Sequence, residues 1–360
     1  MRQARLLGAV GVVAILAILL VYAARRSASS PGAPGAAAAR SARDGRVAHR
    51  GALKPLVVTT AAAAPRDGRV VAKSGWGSDR DQVGYRPAAE SNPEGPMAVV
   101  AGPNGLLVLD QVNGRIVKYG PDGKVLGTFP IGPDTAQDLA VTSDGKVAVL
   151  DRVADGQVLQ YDADGNLIGQ APVVGGPLTE AGGATGVFSD SSGTYVEREH
   201  GETVRVLGPD GLPDRDRPTR PGRPLRDGTG YVQAMITDKA AGLATVRMFD
   251  EASDFVWQRT VTFPGAIVSL LLLDSDRQGR LVIAAHVGTE GTAPPYDLIN
   301  EKTIVVGMAQ SDGEARGSIA IPPPSTTDEM LRPLTISDDG VIYQMSTSDH
   351  GIEVHAYAMP

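Results

Sequence analysis

The chain contains no cysteine. That excludes disulfides, thiolate metal sites, a cysteine nucleophile and a lipid-modified N-terminal cysteine. Aromatic residues are only 4% of the chain, with two tryptophans, Trp76 and Trp257, so a sugar site built on stacked rings is not expected. Positive charge is not in excess. The formal net charge is −7, whereas a surface that grips nucleic acid is basic; no nucleic-acid partner is expected. There is no Gly-X-Ser-X-Gly elbow, phosphate-cradling loop or His-Glu-X-X-His pattern, the marks of several hydrolase and nucleotide-binding classes. The many Asp-Gly pairs are not calcium loops, because none spaces acids at alternate positions.

Turn formers are abundant: 44 glycines and 26 prolines in 360 residues. That suits an all-β chain with frequent reversals. The stretch from Gly105 to Gly123 shows the unit. Two short apolar runs, Leu106–Leu109 and Ile116–Tyr119, are bounded by Pro-Asn-Gly, Asp-Gln-Val-Asn-Gly and Pro-Asp-Gly. Asn-Gly and Asp-Gly supply the positive φ of tight hairpins, so this reads as strand, turn, strand, turn, strand.

The unit recurs. Counterparts of the turn ending at Gly105 end at Gly145, Gly193, Gly228, Gly279 and Gly340. Counterparts of Pro121-Asp122-Gly123 occur at 163–165, 209–211 and 311–313, with Asp250-Glu251-Ala252-Ser253 in the fourth unit. Each unit thus holds four antiparallel strands, and such units assemble radially into a β-propeller. The expectation is six blades over residues 68–360. The sixth unit lacks a fourth strand after Ile352–Tyr357. Arg69–Lys73 is expected to fill that place and close the ring; Leu56–Thr60 is the rival.

Upstream, Leu6–Ala24 is an apolar run of 19 residues flanked by Arg2, Arg5, Arg25 and Arg26. As a helix it reaches about 28 Å, close to the hydrocarbon thickness of a bilayer. Residues 1–26 are read as an uncleaved transmembrane anchor in preference to a cleaved secretory signal ending near Val21-Tyr22-Ala23. Arginines at 40, 43, 46 and 50 pull toward a cytoplasmic C-terminal side. The five-residue N-terminal tail pulls the other way, and the propeller is expected outside the cytoplasmic membrane, in a periplasm. Residues 27–67 are rich in Ala, Pro and Arg and read as a disordered linker. Arg-Asp-Gly-Arg-Val occurs twice, at 43–47 and 66–70.

The run from Leu106 to Ile116, followed by Pro121-Asp122-Gly123-Lys124, resembles an NHL repeat: an apolar strand, an Asp, an Asn-containing turn, Arg-Ile, then Asp-Gly and a basic residue. Asp110, Asn113, Arg115 and Ile116 match. Blade 2 keeps Asp151 and Gly165 but has Gln157 where Arg stands in the pattern; blades 3 to 6 match only in turn placement. The resemblance implies a six-bladed propeller. It implies no single function, since such propellers serve as interaction platforms and as lyases, lactonases and other hydrolases.

In a propeller the ends of the second strands gather at one face. Those positions are Asp110, Asp151, Glu199, one in the stretch from Met235 to Asp238, Ala285 or His286, and Ser346; the charged or imidazole-bearing ones are Asp110, Asp151, Glu199, Asp238 and His286. With Arg115 they are the candidate ligand-binding residues. Carboxylates and an imidazole suit a divalent cation; the bland reading is that Asp110 and Asp151 accept backbone hydrogen bonds in the following turn. His200, His286 and His350 fall on the same expected face. His200 and His350 each precede a glycine, in turns, which disfavours a converging zinc site. His355 is expected to pack within the last strand. Arg215, Arg217, Arg220, Arg223 and Arg226 read as a solvated loop neutralised by Asp214, Asp216 and Asp227, or else as a clamp for an anionic partner. Residues 287–302 read as an insertion in blade 5. No catalytic residue, metal ligand or cofactor is assigned. The expected function is a binding or scaffold module for a protein or other envelope component; the alternative is a metal-dependent hydrolase or lyase near the central channel.

Overall fold

The computed structural model describes residues 51–58, 63–88, 90, 92–294, 297–325 and 330–359. The run Leu6–Ala24, the linker up to residue 50, the first Arg-Asp-Gly-Arg-Val copy and His49 lie outside the described residues. So do Pro295 and Tyr296 of the blade 5 insertion. Among the described residues no helix is long and apolar enough to cross a membrane.

The turn chemistry does what the sequence leads one to expect. Gly105 opens the second strand of blade 1 at φ +129°, and a Cβ there would lie 2.0 Å from the Tyr119 carbonyl oxygen. Gly193 repeats the geometry in blade 3 against the Leu207 carbonyl, at 2.2 Å. Only glycine lets the third strand approach so closely at that backbone angle.

Six antiparallel sheets result. Blade 1 runs Ala98–Gly102, Gly105–Asp110, Arg115–Tyr119, Val125–Pro130; blade 2 runs Asp138–Val141, Val147–Asp151, Gln157–Tyr161, Leu167–Pro172. Blade 3 is Ala184–Asp190, Gly193–Arg198, Thr203–Leu207 and the two-residue Thr219–Arg220. Blade 4 starts with an equally short Arg223–Pro224, then Gly230–Asp238, Leu243–Asp250 and Phe255–Thr262. Blade 5 is longest: Ala266–Ser275, Arg280–Glu290, Leu298–Ala309, Ala315–Ile321. Blade 6 holds Leu334–Ile336, Val341–Ser348 and Gly351–Ala358, and its fourth strand is Arg69–Gly75, antiparallel to Gly351–Ala358. The ring is therefore closed by the expected segment. First strands lie innermost and fourth strands outermost.

Alternation along each strand sends one set of side chains to each neighbouring blade. Apolar clusters fill the seams between blades 1 and 2, 2 and 3, 4 and 5, 5 and 6, and 6 and 1. The seam between blades 3 and 4 differs. Among the described residues no apolar cluster joins the two blades, and the contacts there include Arg223 against Glu197 at 2.7 Å and Arg220 over the Tyr231 ring.

The linker expectation needs correction from Gly51 onward. Gly51–Ala52 and Leu56–Val57 pair in parallel with Phe255–Thr262, outside blade 4. Ala63–Pro65 pairs in parallel with Ala315–Ile321, outside blade 5. Val58 is buried in the blade 4–5 cluster, with Leu53 and Leu56 packed against it. The described part of the rival closing segment, Leu56 to Val58, thus caps blade 4, and Arg69–Gly75 is left for blade 6. The physical reason is that outer strands present unpaired N–H and C=O groups, and even an Ala-rich segment supplies matching backbone.

Candidate functional site

At the face where second strands turn into third strands, the channel opens into a cup of about 530 Å³. Its floor is Phe188, flanked by the guanidinium groups of Arg223 and Arg332 at 4.6 and 4.8 Å from the ring centre. Each arginine is held by a buried carboxylate from another blade. Arg332 donates from Nε and Nη2 to the two oxygens of Asp138, at 2.7 and 2.6 Å. Arg223 donates from Nε and Nη2 to Glu197, at 2.7 and 3.1 Å, and Thr185 adds its hydroxyl at 2.9 Å. Such paired donors fix position and orientation together.

Burial alone would raise the Glu197 carboxyl. The Arg223 guanidinium, with the His200 imidazole 3.6 Å away and a hydrogen bond from Thr185, outweighs it and brings the pKa down to about 2. Burial acts against the charge on Arg332, but the adjacent Asp138 carboxylate raises its pKa above the ordinary value.

The cup has two unlike walls. One is apolar: Leu270 to Leu273 from blade 5, with Met235 and Ile236 from blade 4. Met235 and Ile236 are 37% and 39% exposed. The other wall is polar: Glu197, Glu199, His200 and Thr185 of blade 3. Glu199 and His200 form the turn between Gly193–Arg198 and Thr203–Leu207, with φ of +50° and +56°. Two consecutive non-glycine residues in the left-handed region carry backbone strain.

The candidate residues read from the sequence separate. Glu199 borders the cup. Asp110 is fully buried, and its oxygens accept from the Gly84 N–H, Asn113 Nδ2 and Arg115 Nε, all at 2.8 Å. Arg115 spends its remaining donors on the carbonyls of Ser78, Asp79 and Gln82. Asp151 is also fully buried and accepts from Thr135 and from the N–H groups of Val153, Ala154 and Asp155. Asp151 thus accepts backbone hydrogen bonds in the turn that follows it, whereas the backbone donor to Asp110 is the upstream Gly84 and its other two donors are side chains. Asp238 caps a hairpin by accepting the Ala241 N–H. His286 lies inside Arg280–Glu290, since that strand continues past the expected end. Its Nε2 is 2.7 Å from Glu301 Oε2 but makes no hydrogen bond. His355 sits in its strand against Tyr357. Among the described residues no three His, Asp or Glu side chains gather as a metal site.

Sequence reasoning missed Asp138, Glu197 and Arg332. Arg223 was noticed only as one of a series. That series is not a free clamp: Arg226 pairs with Asp274 and Asp338, and Arg217 donates to the carbonyls of Pro172, Val173 and Gly175. The expected neutralising acids are also displaced, with Asp214 taken by Arg205. A wider groove of about 870 Å³ lies between the closing strand and blade 1. Two of its charged side chains, Lys73 and Glu353, satisfy each other at 2.5 Å, so the cup holds the richer chemistry.

No protein-family model and no curated protein matches the chain. Solved structures match by shape. Hydrazine synthase of Kuenenia stuttgartiensis is 14% identical over 72% of this chain and 76% of that one, with a TM-score of 0.48. A calcium-binding protein, regucalcin, from Agrobacterium tumefaciens is 11% identical over 84% and 96%, at 0.42. U3-55K is 12% identical over 76% and 98%, at 0.43. At these values the likenesses say nothing of ligand or activity. The six-bladed propeller stands on the chain's own strand pairing.

Proposed function

We propose that this chain is a membrane-anchored, extracytoplasmic propeller of the NHL type that binds another protein of the envelope in the cup. The observation that carries the reading is the cup itself: a concave, two-walled recess whose central arginines are already neutralised by Asp138 and Glu197. Such an arrangement fixes a shape and does not leave a charge pair poised for proton transfer. The NHL resemblance draws support from blade 1, where Asp110, Asn113 and Arg115 bond to one another as a unit.

Residues 1–26 act as the anchor, and the tether runs to about residue 50. The chain enters the propeller beside Phe255–Thr262, running parallel to it. Entry is therefore at the face where first strands turn into second strands, opposite the cup.

Two measurements test this. In membranes of the source cell, a photo-reactive residue at Met235 should crosslink a partner, and one at Asp210 on the opposite face should not. The protein should resist alkaline extraction and be cut by protease added outside the cytoplasmic membrane. Equal crosslinking from both faces, or stoichiometric zinc or calcium in the purified chain, would overturn the reading.

A further inference from the structure

The chemistry of the cup narrows what fits it. Three carboxylates, Asp138, Glu197 and Glu199, and two guanidinium groups, Arg223 and Arg332, border the recess. Both guanidinium groups are gripped in paired fashion by Asp138 and Glu197. Their positive charge is spent inside the protein. Glu199 is different. Its backbone N–H donates to the Gly183 carbonyl, but its carboxylate has no hydrogen bond or ion pair among the described residues. It is exposed, it borders the cup, and the left-handed turn that carries it is strained. A free carboxylate held at a recess by an unfavourable backbone suggests selection for a ligand contact and not for stability.

Across from it stands the apolar wall of Leu270, Leu271, Met235 and Ile236. Burying such a wall favours a ligand with an apolar side chain. An anionic ligand would meet the Glu199 carboxylate, while both guanidinium groups already face carboxylates of the protein. A cationic group would meet the one carboxylate that lacks a partner.

We infer that the cup takes a peptide segment of the partner protein that presents a lysine or arginine to Glu199 beside a large apolar side chain set against Leu270, Leu271, Met235 and Ile236. This rests on the reading of the chain as a protein-binding module and specifies the ligand of that same site. The charged contact sits at a partly wetted rim, so it contributes selectivity more than affinity. Most of the affinity comes from the apolar side chain.

The test is a selection of random decapeptides on the purified full chain, read by sequencing against a blank support. Lysine and arginine adjacent to Leu, Ile, Phe or Met should be enriched several-fold, and Asp and Glu depleted. With Glu199→Gln the apolar enrichment should persist and the cationic enrichment vanish. With Leu271→Asp both should be lost. Glu199 is exposed and unpaired, so Glu199→Gln should melt as the parent does. An acidic pool, no enrichment over the blank, or cationic enrichment that survives Glu199→Gln would overturn the inference. If Met235 still crosslinks a partner in membranes while the pool is acidic or featureless, the ligand chemistry alone fails. If Met235 crosslinks nothing, the binding reading fails with it.

Discussion

Asp110 shows how one side chain can be necessary without touching a ligand. Its carboxylate is sealed from solvent and accepts three hydrogen bonds, two of them from residues of the following turn and strand. Replacing it by Ala leaves Arg115 and the Gly84 N–H facing an empty space. Breaking one side of a buried ion pair costs about 3–5 kcal/mol, so Asp110→Ala should lower the urea midpoint sharply while the Met235 crosslink persists in the folded fraction. Glu197 makes a pH prediction. Its folded pKa, about 2, is depressed from the ordinary 4.5. A depressed carboxyl gives stability that is fully present above about pH 4.5 and is lost as the pH falls toward 2. Acid titration of the melting temperature should show a decline over that window, and Glu197→Gln, less stable at neutral pH, should show a shallower one. The two acids differ in how well the sequence announces them. Asp110 stands in a local motif with partners three and five residues away. Glu197 finds its partner 26 residues on, in another blade, and nothing local marks it.

At the scale of strands, the N-terminal segment does two jobs. Arg69–Gly75 closes the ring, while Gly51–Ala52, Leu56–Val57 and Ala63–Pro65 cover the outer edges of blades 4 and 5. Open edges invite pairing between molecules. Removal of residues 1–58 should leave a folded propeller that self-associates, seen as concentration-dependent species in size-exclusion chromatography. Removal of residues 1–75 takes away the fourth strand of blade 6 as well and should abolish cooperative unfolding in urea. The closing strand is legible because blade 6 counts one strand short and Arg69–Lys73 lies just upstream of blade 1 with no other strand to pair with. The capping strands are not legible: they are two or three residues long, and their pairing depends on edges made elsewhere in the chain. Blade 5 misled in a related way. Its second strand runs to Glu290, so counting from the turn glycine stops too early and puts His286 at a strand end.

Over the whole molecule, five seams are greased by apolar clusters, whereas the contacts at the seam between blades 3 and 4 include an ion pair and a cation–π pair. Arginines at the channel reach across blades to compensate. Arg332 of the blade 6 entry binds Asp138 of blade 2 and also donates to the Val187 carbonyl of blade 3. Arg332→Met should cost about 3–5 kcal/mol by stranding Asp138. Adding Asp138→Leu should restore only part of the urea midpoint. The N–H groups of Leu139 and Val187 also bond to Asp138, each at 2.9 Å, and would be left unpaired.

The sequence by itself determined the units: Asp-Gly and Asn-Gly turns fix where strands reverse, and their recurrence fixes six blades, because both depend on backbone preferences of neighbouring residues. Only the tertiary structure decided the cup. It joins Asp138, Phe188, Glu197, Arg223 and Arg332, brought together by closure of the ring across separations of up to 194 residues. Coulombic pairing and burial act through space, and no local pattern in the chain encodes which distant arginine will meet which acid.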